Sequence, residues 1–458
     1  MAEPEKPGKE RPRGEPFSSA VFTMEVHDGG IVSLKRSGDA FDTDYILAGK
    51  RLGDAVVRYR VAGCPWREVV TADLSDAAET RFHRAGDSEY VVTYSLGGRK
   101  RPELLLDMRL AFEGEALVWT LTFRNGAGRL LELGDVALPF PMNTDYVWDK
   151  EETASRRVFL HSFISGHASF MFWMRCNSVG PYLVMTPLGR TQLEYFDDKG
   201  RGAPFEGVYM AYVHSAVQDA VAKEKGCRWR QPNTGVTLAP RGAAGAEQTY
   251  GFKFSWADGY EGVRDALYRE GKFDIHVVPG MTVPEDLVAT FSFRTKSRVQ
   301  SVTPEYPEQT HLEYLGTRGP DTHVYRARFS RLGENLLTIR YADDQYLVLE
   351  FFVTEPVETL IRKRAAFLVS TQQHRDATRW YNGLLSDWNM STRVLLGPDN
   401  LDHIKGWRKY MVSGDDPGLC KAPFVAATNV EYPCQREIEA IDYYIANFVW
   451  GGLQRTEE

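Results

Sequence analysis

The chain has no Cys-x-x-Cys pair. Its five cysteines, Cys64, Cys176, Cys227, Cys420 and Cys434, are widely scattered. That spacing argues against a zinc site and reads as mostly buried free thiols, with a Cys420–Cys434 disulfide left open. No apolar run is long enough to span a bilayer as a helix, so no membrane association is expected. No basic block marks a nucleic-acid surface and no acidic tail marks a solvated arm; the formal net charge of −7 over 458 residues is mild. Gly-x-x-x-x-Gly-Lys-Ser/Thr, Gly-x-Ser-x-Gly and His-Glu-x-x-His are all missing, which removes the chemistries those patterns support. No cofactor and no metal are expected, and nothing fixes the oligomeric state. Residues 1–16 hold almost no apolar side chain, so a disordered tail is expected. They lack the apolar centre of a secretion signal.

What is present is a long succession of strands. Ala55–Val61, Glu89–Ser95, Leu104–Phe112, Ala116–Arg124, Gly207–Val213 and Thr249–Trp256 alternate apolar and polar residues and are rich in β-branched and aromatic types. Turn residues separate them, with Glu113-Gly114 and Asn125-Gly126 placed for tight hairpins. So many strands without intervening helices predict one large antiparallel sandwich over residues 17–276. A helix is expected near its end, at Tyr260–Glu270, stopped by Gly271. Short strands over 277–355 predict a small immunoglobulin-like sandwich. After Pro356 the period changes to 3.6, with Val357, Leu360, Ile361, Phe367 and Leu368 as a stripe, so 356–458 is expected to be α-helical. The fold class expected is therefore mostly β, with helices confined to the C-terminal part.

Polar groups crowd most densely near that end. Asp415 and Asp416 sit in a turn, and Asn429, Glu431 and Tyr432 are read as a loop. Pro433 then sets up a helix from Gln435. Its apolar face would be Ile438, Ile441, Ile445 and Phe448, with Glu437, Glu439 and Asn447 opposite.

This order of parts resembles carbohydrate-active proteins that join a galactose-mutarotase-like supersandwich to an (α/α)6 toroid of the six-hairpin glycosidase kind. The motifs closest in detail are Asp415-Asp-Pro-Gly-Leu419, Asn429-Val-Glu-Tyr-Pro433 and Phe448-Val-Trp-Gly-Gly-Leu-Gln454, together with Val278-Pro-Gly280. They look like an uncharacterised bacterial and fungal family of secreted proteins. The resemblance implies an oligosaccharide or polysaccharide partner and a secreted or periplasmic full-length protein, although no signal is visible; a cytoplasmic protein is the alternative. The helices that can be drawn are fewer than a toroid needs, so a C-terminally incomplete toroid is expected.

Within that frame, Asp416 and Glu431 are the candidate catalytic carboxyls for glycoside hydrolysis, which uses one protonated and one ionised carboxyl. Asp-Asp-Pro-Gly is also ordinary turn chemistry. Asp415, Asn429, Tyr432, Arg436, Trp450 and Gln454 are candidate substrate contacts. A polysaccharide lyase acting on uronic acids is the alternative, with Asn429, Tyr432 and Arg436 suited to it. A non-catalytic sugar-binding protein and a mutarotase acting on free sugars through His161 or His167 are further readings. In the sandwich, His161, His167, Trp173 and Arg175 are candidates for a sugar-holding sheet face, since Trp173 and Arg175 share one side of a strand. Beside this stands the plainer reading of paired structural histidines and core aromatics.

Overall fold

The computed structural model describes residues 14–73, 77–97, 101–145, 147–197, 205–400 and 420–454. It divides into two compact units. One takes the described residues up to Met281 with Ala289–Ala327 and Asn335–Phe351; the other takes Thr282–Val288, Arg328–Glu334 and the described residues from Phe352 onward.

In the first unit, eight strands form one antiparallel sheet. Their order is Val158–Phe163, Phe170–Arg175, Tyr182–Leu188, Glu247–Ala257, Ala116–Asn125, Leu104–Glu113, Glu89–Leu96 and Ala77–Arg84. The alternation read in the sequence is met residue by residue: Tyr90, Val92, Tyr94 and Leu96 are buried and their neighbours are half-exposed. A second sheet runs Tyr195–Asp197, Tyr209–Ser215, Leu131–Phe140, Val56–Val61 and Arg67–Val70, and Val236–Leu238 also pairs with Leu131–Phe140. The inward residues of both sheets make one apolar cluster in which the rings of Trp119, Phe140, Trp173 and Phe252 interlock. Each such side chain contributes about 1.5–3 kcal/mol through burial. The hairpin at Glu113-Gly114 forms as expected, with Gly114 at φ +62° and Glu113 paired to Ala116. Tyr260–Arg269 is helical and buries Val263, Ala266 and Leu267. Two helices were not expected, Lys150–Arg156 and Ala216–Glu224; both are too short to show a 3.6-residue period, and neither buries a residue.

A smaller sandwich follows, of two four-stranded sheets. One runs Asp274–Val278, Ala289–Arg294, Thr322–Phe329 and Thr310–Arg318, the other Thr282–Pro284, Gln345–Thr354, Gly333–Tyr341 and Val299–Pro304. In the latter, Leu337, Ile339, Tyr341, Leu347, Leu349 and Phe351 are buried in the core. The period of two puts Leu336, Thr338 and Arg340 with Tyr346, Val348 and Glu350 on the opposite face. The chain is mostly β, as its sequence pattern requires.

The second unit holds the helices Val357–Thr371, Lys421–Glu431 and Gln435–Tyr444, and Ile445–Leu453 continues the last as a π-helix. Ala365, Leu368, Val369, Val425 and Ala440 form its core. Four expectations are corrected here. Asn429 and Glu431 lie in a helix rather than a loop, and Tyr432 caps it. Glu437, expected on the outer face, is buried and accepts a hydrogen bond from Asn429 Nδ2 at 2.8 Å. Ile438 and Ile445, expected on the buried face, are exposed, whereas Phe448 is buried as expected and Ile441 packs partly buried against the helical core. All five cysteines are free thiols, including Cys420 and Cys434, but the expected burial is corrected: Cys64 and Cys176 are half-buried and Cys227, Cys420 and Cys434 are exposed.

Candidate functional site

The outward face of the strands holding Leu336, Thr338, Arg340, Tyr346 and Val348 floors a groove of about 600 Å³ in the first unit. One wall is the turn at Ser165–Ser169. Ser165 Oγ donates to the Val348 carbonyl at 2.7 Å and accepts from its N–H at 2.6 Å. The His167 N–H donates to the Tyr346 carbonyl at 3.1 Å, and His167 Nδ1 accepts from the Tyr346 N–H at 3.4 Å. With Nδ1 accepting, the neutral ring carries its proton on Nε2 and acts as a donor. Its plane stands at 82° to the Tyr346 ring, with centroids 5.2 Å apart. Burial, assisted by Lys272 and Arg190, holds the His167 pKa down to about 4, so the ring is neutral at pH 7. Lys272 Nζ donates to the His167 carbonyl at 2.7 Å from a buried position.

The facing wall is an irregular segment that includes Arg230 and Pro232. Arg230 forks onto Glu305 at 2.6 and 3.1 Å, and Gln231 donates to Glu350 at 3.1 Å. Burial pushes the Glu305 carboxyl up, but Arg230 and the Leu336 N–H outweigh it and leave the pKa below the usual carboxylate range. The Tyr346 phenol is raised by burial and then by Glu194, so it stays protonated.

Behind that segment lies an enclosed polar network. Glu194 accepts from Gln192 Nε2 at 2.7 Å, Ser215 Oγ at 3.0 Å, the Thr234 N–H at 2.8 Å, and the Thr234 hydroxyl. His214 lies 2.9 Å from Thr234 Oγ1 through Nδ1 and 2.6 Å from the Tyr250 hydroxyl through Nε2. The donors then run in one direction, Tyr250 to His214 to Thr234 to Glu194. Burial lifts Glu194 to about 7 despite the bonds from Thr234 and Ser215, and drops His214 to about 4.

These shifts have opposite signs in stability. His214 is depressed, so its contribution is complete above its unfolded value near 6.5 and is lost as pH falls toward 4. Glu194 is raised, so its contribution is complete below its unfolded value near 4.5 and is lost as pH rises through 7. In urea melts, the stability of wild type relative to His214→Gln should fall by about 3 kcal/mol between pH 7 and pH 4. A pH-independent difference would refute the buried, neutral histidine.

The residues singled out in the sequence fall variously. Asp415 and Asp416 lie outside the described residues. Asn429 Nδ2 also donates to the Val425 carbonyl at 2.8 Å, and its Oδ1 accepts from the Cys434 N–H at 2.7 Å, so this side chain joins two helices. Tyr432 lies under the Arg362 guanidinium, 4.4 Å from the ring centre. Glu431, Arg436, Trp450 and Gln454 are exposed. His161 is exposed and stacks on Phe172 at 4.5 Å, while His167 alone of the sandwich candidates lines the groove. Trp173 and Arg175 are corrected: both are fully buried and present nothing to a ligand. Trp173 belongs to the core, and Arg175 pairs with Asp39. Sequence reasoning missed Arg230, Glu305, Arg340, Tyr346 and the Glu194 network. Strand alternation was the one signal that could have put Arg340 on an outward face.

No curated protein matches the chain. A solved polysaccharide lyase shares its fold at 14% identity and a TM-score of 0.71, over 93% of this chain and 59% of that one, so this chain spans about 59% of the lyase's length. A protein assigned as an aldose 1-epimerase, from Escherichia coli K12, aligns at 12% identity over 53% of this chain and 97% of its own, with a TM-score of 0.33. An α-galactosidase from Geobacillus stearothermophilus aligns at 11% identity over 61% and 45%, with a TM-score of 0.29. Neither of these two is close enough to define a shared fold. A family model matches residues 40–458, and the chain belongs to that family, described as a family of unknown function (DUF5695).

Proposed function

We propose that the chain is the sugar-holding, β-rich part of a carbohydrate-active protein working on a polysaccharide, and that cleavage is by β-elimination at a uronic acid. The observation behind this reading is that Arg340, Tyr346 and His167, whose ring donor is Nε2–H, line one groove. Hydrolysis, the first expectation from sequence, needs two carboxyls with one kept protonated. Here Glu305 is held ionised by Arg230. Glu194, the carboxyl lifted toward neutrality, has both oxygens occupied and is enclosed. Among the described lining residues that leaves Asp344 as the remaining carboxylate. Elimination instead needs a cation against the uronate carboxylate, a base at C5 and an acid at the leaving oxygen. Arg340 suits the first role and the protonated Tyr346 the last. The proposal gives this groove uronate binding and delivery of a proton to the leaving oxygen; the C5 proton goes to a base outside this groove, because His167 Nδ1 already accepts from the Tyr346 N–H. A secreted or periplasmic working place belongs to the same proposal.

Affinity electrophoresis through gels loaded with polygalacturonate, alginate or dextran tests it. Retardation is expected in the uronate gels only. Arg340→Ala should weaken it about tenfold, the loss of one charge-assisted hydrogen bond. Equal retardation in dextran, or an unaffected Arg340→Ala, would sink the uronate reading. Reducing ends released without an unsaturated uronide would replace elimination by hydrolysis.

A further inference from the structure

The network behind the groove has a use that the groove chemistry leaves unassigned. The segment 229–234 has no regular secondary structure, yet it supplies Arg230 and Pro232 to the groove. On the groove side it is held by the Arg230–Glu305 pair, whose arginine is exposed, and by Gln231 on Glu350. The ion pair is bidentate but keeps side-chain exposures of 30% and 23%, so solvent screens it more than it would a pair in the interior. At the other end the hold is different in kind. Thr234 gives Glu194 both its N–H and its hydroxyl, and Ser215 Oγ, which itself bonds Glu194, accepts from Asn233 Nδ2 at 2.7 Å. Glu194, Ser215 and His214 are all buried. Above pH 7, where Glu194 is ionised, these are charge-assisted hydrogen bonds in a dry setting, among the strongest a protein makes.

We infer that Glu194 is a positioning residue: it anchors the segment 229–234 and thereby sets where Arg230 and Pro232 stand for a bound uronate chain. The ligand half rests on the sugar-holding reading above; the anchoring half does not. Glu194→Gln keeps the shape but turns an amide donor toward a group that is itself a donor, Gln192 Nε2 if the NH2 takes the Oε1 position or the Thr234 N–H if it takes the Oε2 position. Thr234→Val removes the hydroxyl shared by Glu194 and His214, and Thr234→Ser restores it.

Hydrogen exchange read by mass spectrometry on the full chain, with polygalacturonate affinity measured in parallel, decides the matter. In Glu194→Gln and Thr234→Val, exchange across 229–235 should rise about tenfold and affinity should fall about tenfold, with exchange in 104–125 unchanged. Thr234→Ser should recover both. Unchanged exchange in 229–235 would overturn the anchor, and a loosened segment with undiminished affinity would overturn the positioning role. Should Glu194→Gln fail to fold, the two Thr234 variants carry the same comparison. A wild type that binds no uronate polysaccharide overturns the sugar reading, and the exchange data then still decide whether Glu194 is an anchor.

Discussion

Arg175→Met should lower the unfolding free energy by about 3–5 kcal/mol, the usual result of breaking a buried ion pair from one side. Arg175 is fully buried and its Nη2 lies 2.7 Å from each oxygen of Asp39. Nε donates to Thr43 Oγ1 at 2.8 Å, and Nη1 donates to the carbonyls of Val179 and Gly180 at 2.9 and 2.8 Å. The guanidinium also lies over Phe41, 4.3 Å from the ring centre. Methionine fills the space but leaves the Asp39 charge buried and two carbonyls without a donor. Arg175→Lys should also be costly, because a point ammonium cannot replace a planar fork that serves four acceptor groups. Adding Asp39→Asn to Arg175→Met should recover part of the loss, since the unpaired charge is then gone. Urea denaturation of the single and double variants gives the coupling directly. A loss below about 1 kcal/mol would mean that Asp39 finds water when Arg175 leaves.

The same residue shows where the sequence stops being informative. The strand Phe170–Arg175 is legible, and so is the fact that Trp173 and Arg175 share a side. Which side faces solvent is not legible, because both are covered: Met171 and Trp173 enter the main core, while Phe172 packs with Val263, Ala266 and Leu267. Alternation identifies an open face only when one face is open. The small sandwich is the converse case. Along Thr338–Tyr341 polar and apolar residues alternate, so the outward position of Arg340 could be read; Tyr346–Leu349 is an unbroken apolar run, and only its register with Glu350 puts Tyr346 on the same outward face. That His167 joins them could not be read, since the contact with Tyr346 spans 179 residues. In the helical part, Thr428, Asn429 and Val430 are poor helix formers and favoured a loop. The bonds of Asn429 to Val425, Cys434 and Glu437 override that weak preference. Glu194 is the least legible of all, because nothing local marks a glutamate that four donors from three separate segments will enclose.

Gly166→Val should cost about 3 kcal/mol and abolish binding in the groove. Two separate penalties add. Gly166 sits at φ +59°, where a side chain bearing a Cβ is strained by about 1–2 kcal/mol and a β-branched one by more. A Cβ there would also lie 2.7 Å from a carbon of the Tyr346 ring and 2.8 Å from the Tyr346 carbonyl oxygen, an overpacking of about 1–3 kcal/mol. The ring could turn aside, but the carbonyl accepts the His167 N–H and cannot move without releasing it. The Gly166 N–H and carbonyl are in turn bonded to Leu193, next in the chain to Glu194, at 3.0 and 3.1 Å. A displaced turn would therefore disturb both walls of the groove at once. Gly166→Ala carries the same two penalties without the branched methyls and should fall between wild type and Gly166→Val. Urea melts give the stability, and retardation in polygalacturonate gels gives the binding. If Gly166→Val matched wild type within about 1 kcal/mol, the close approach of this turn to Tyr346 would be wrong, and His167 would have to be removed from the groove.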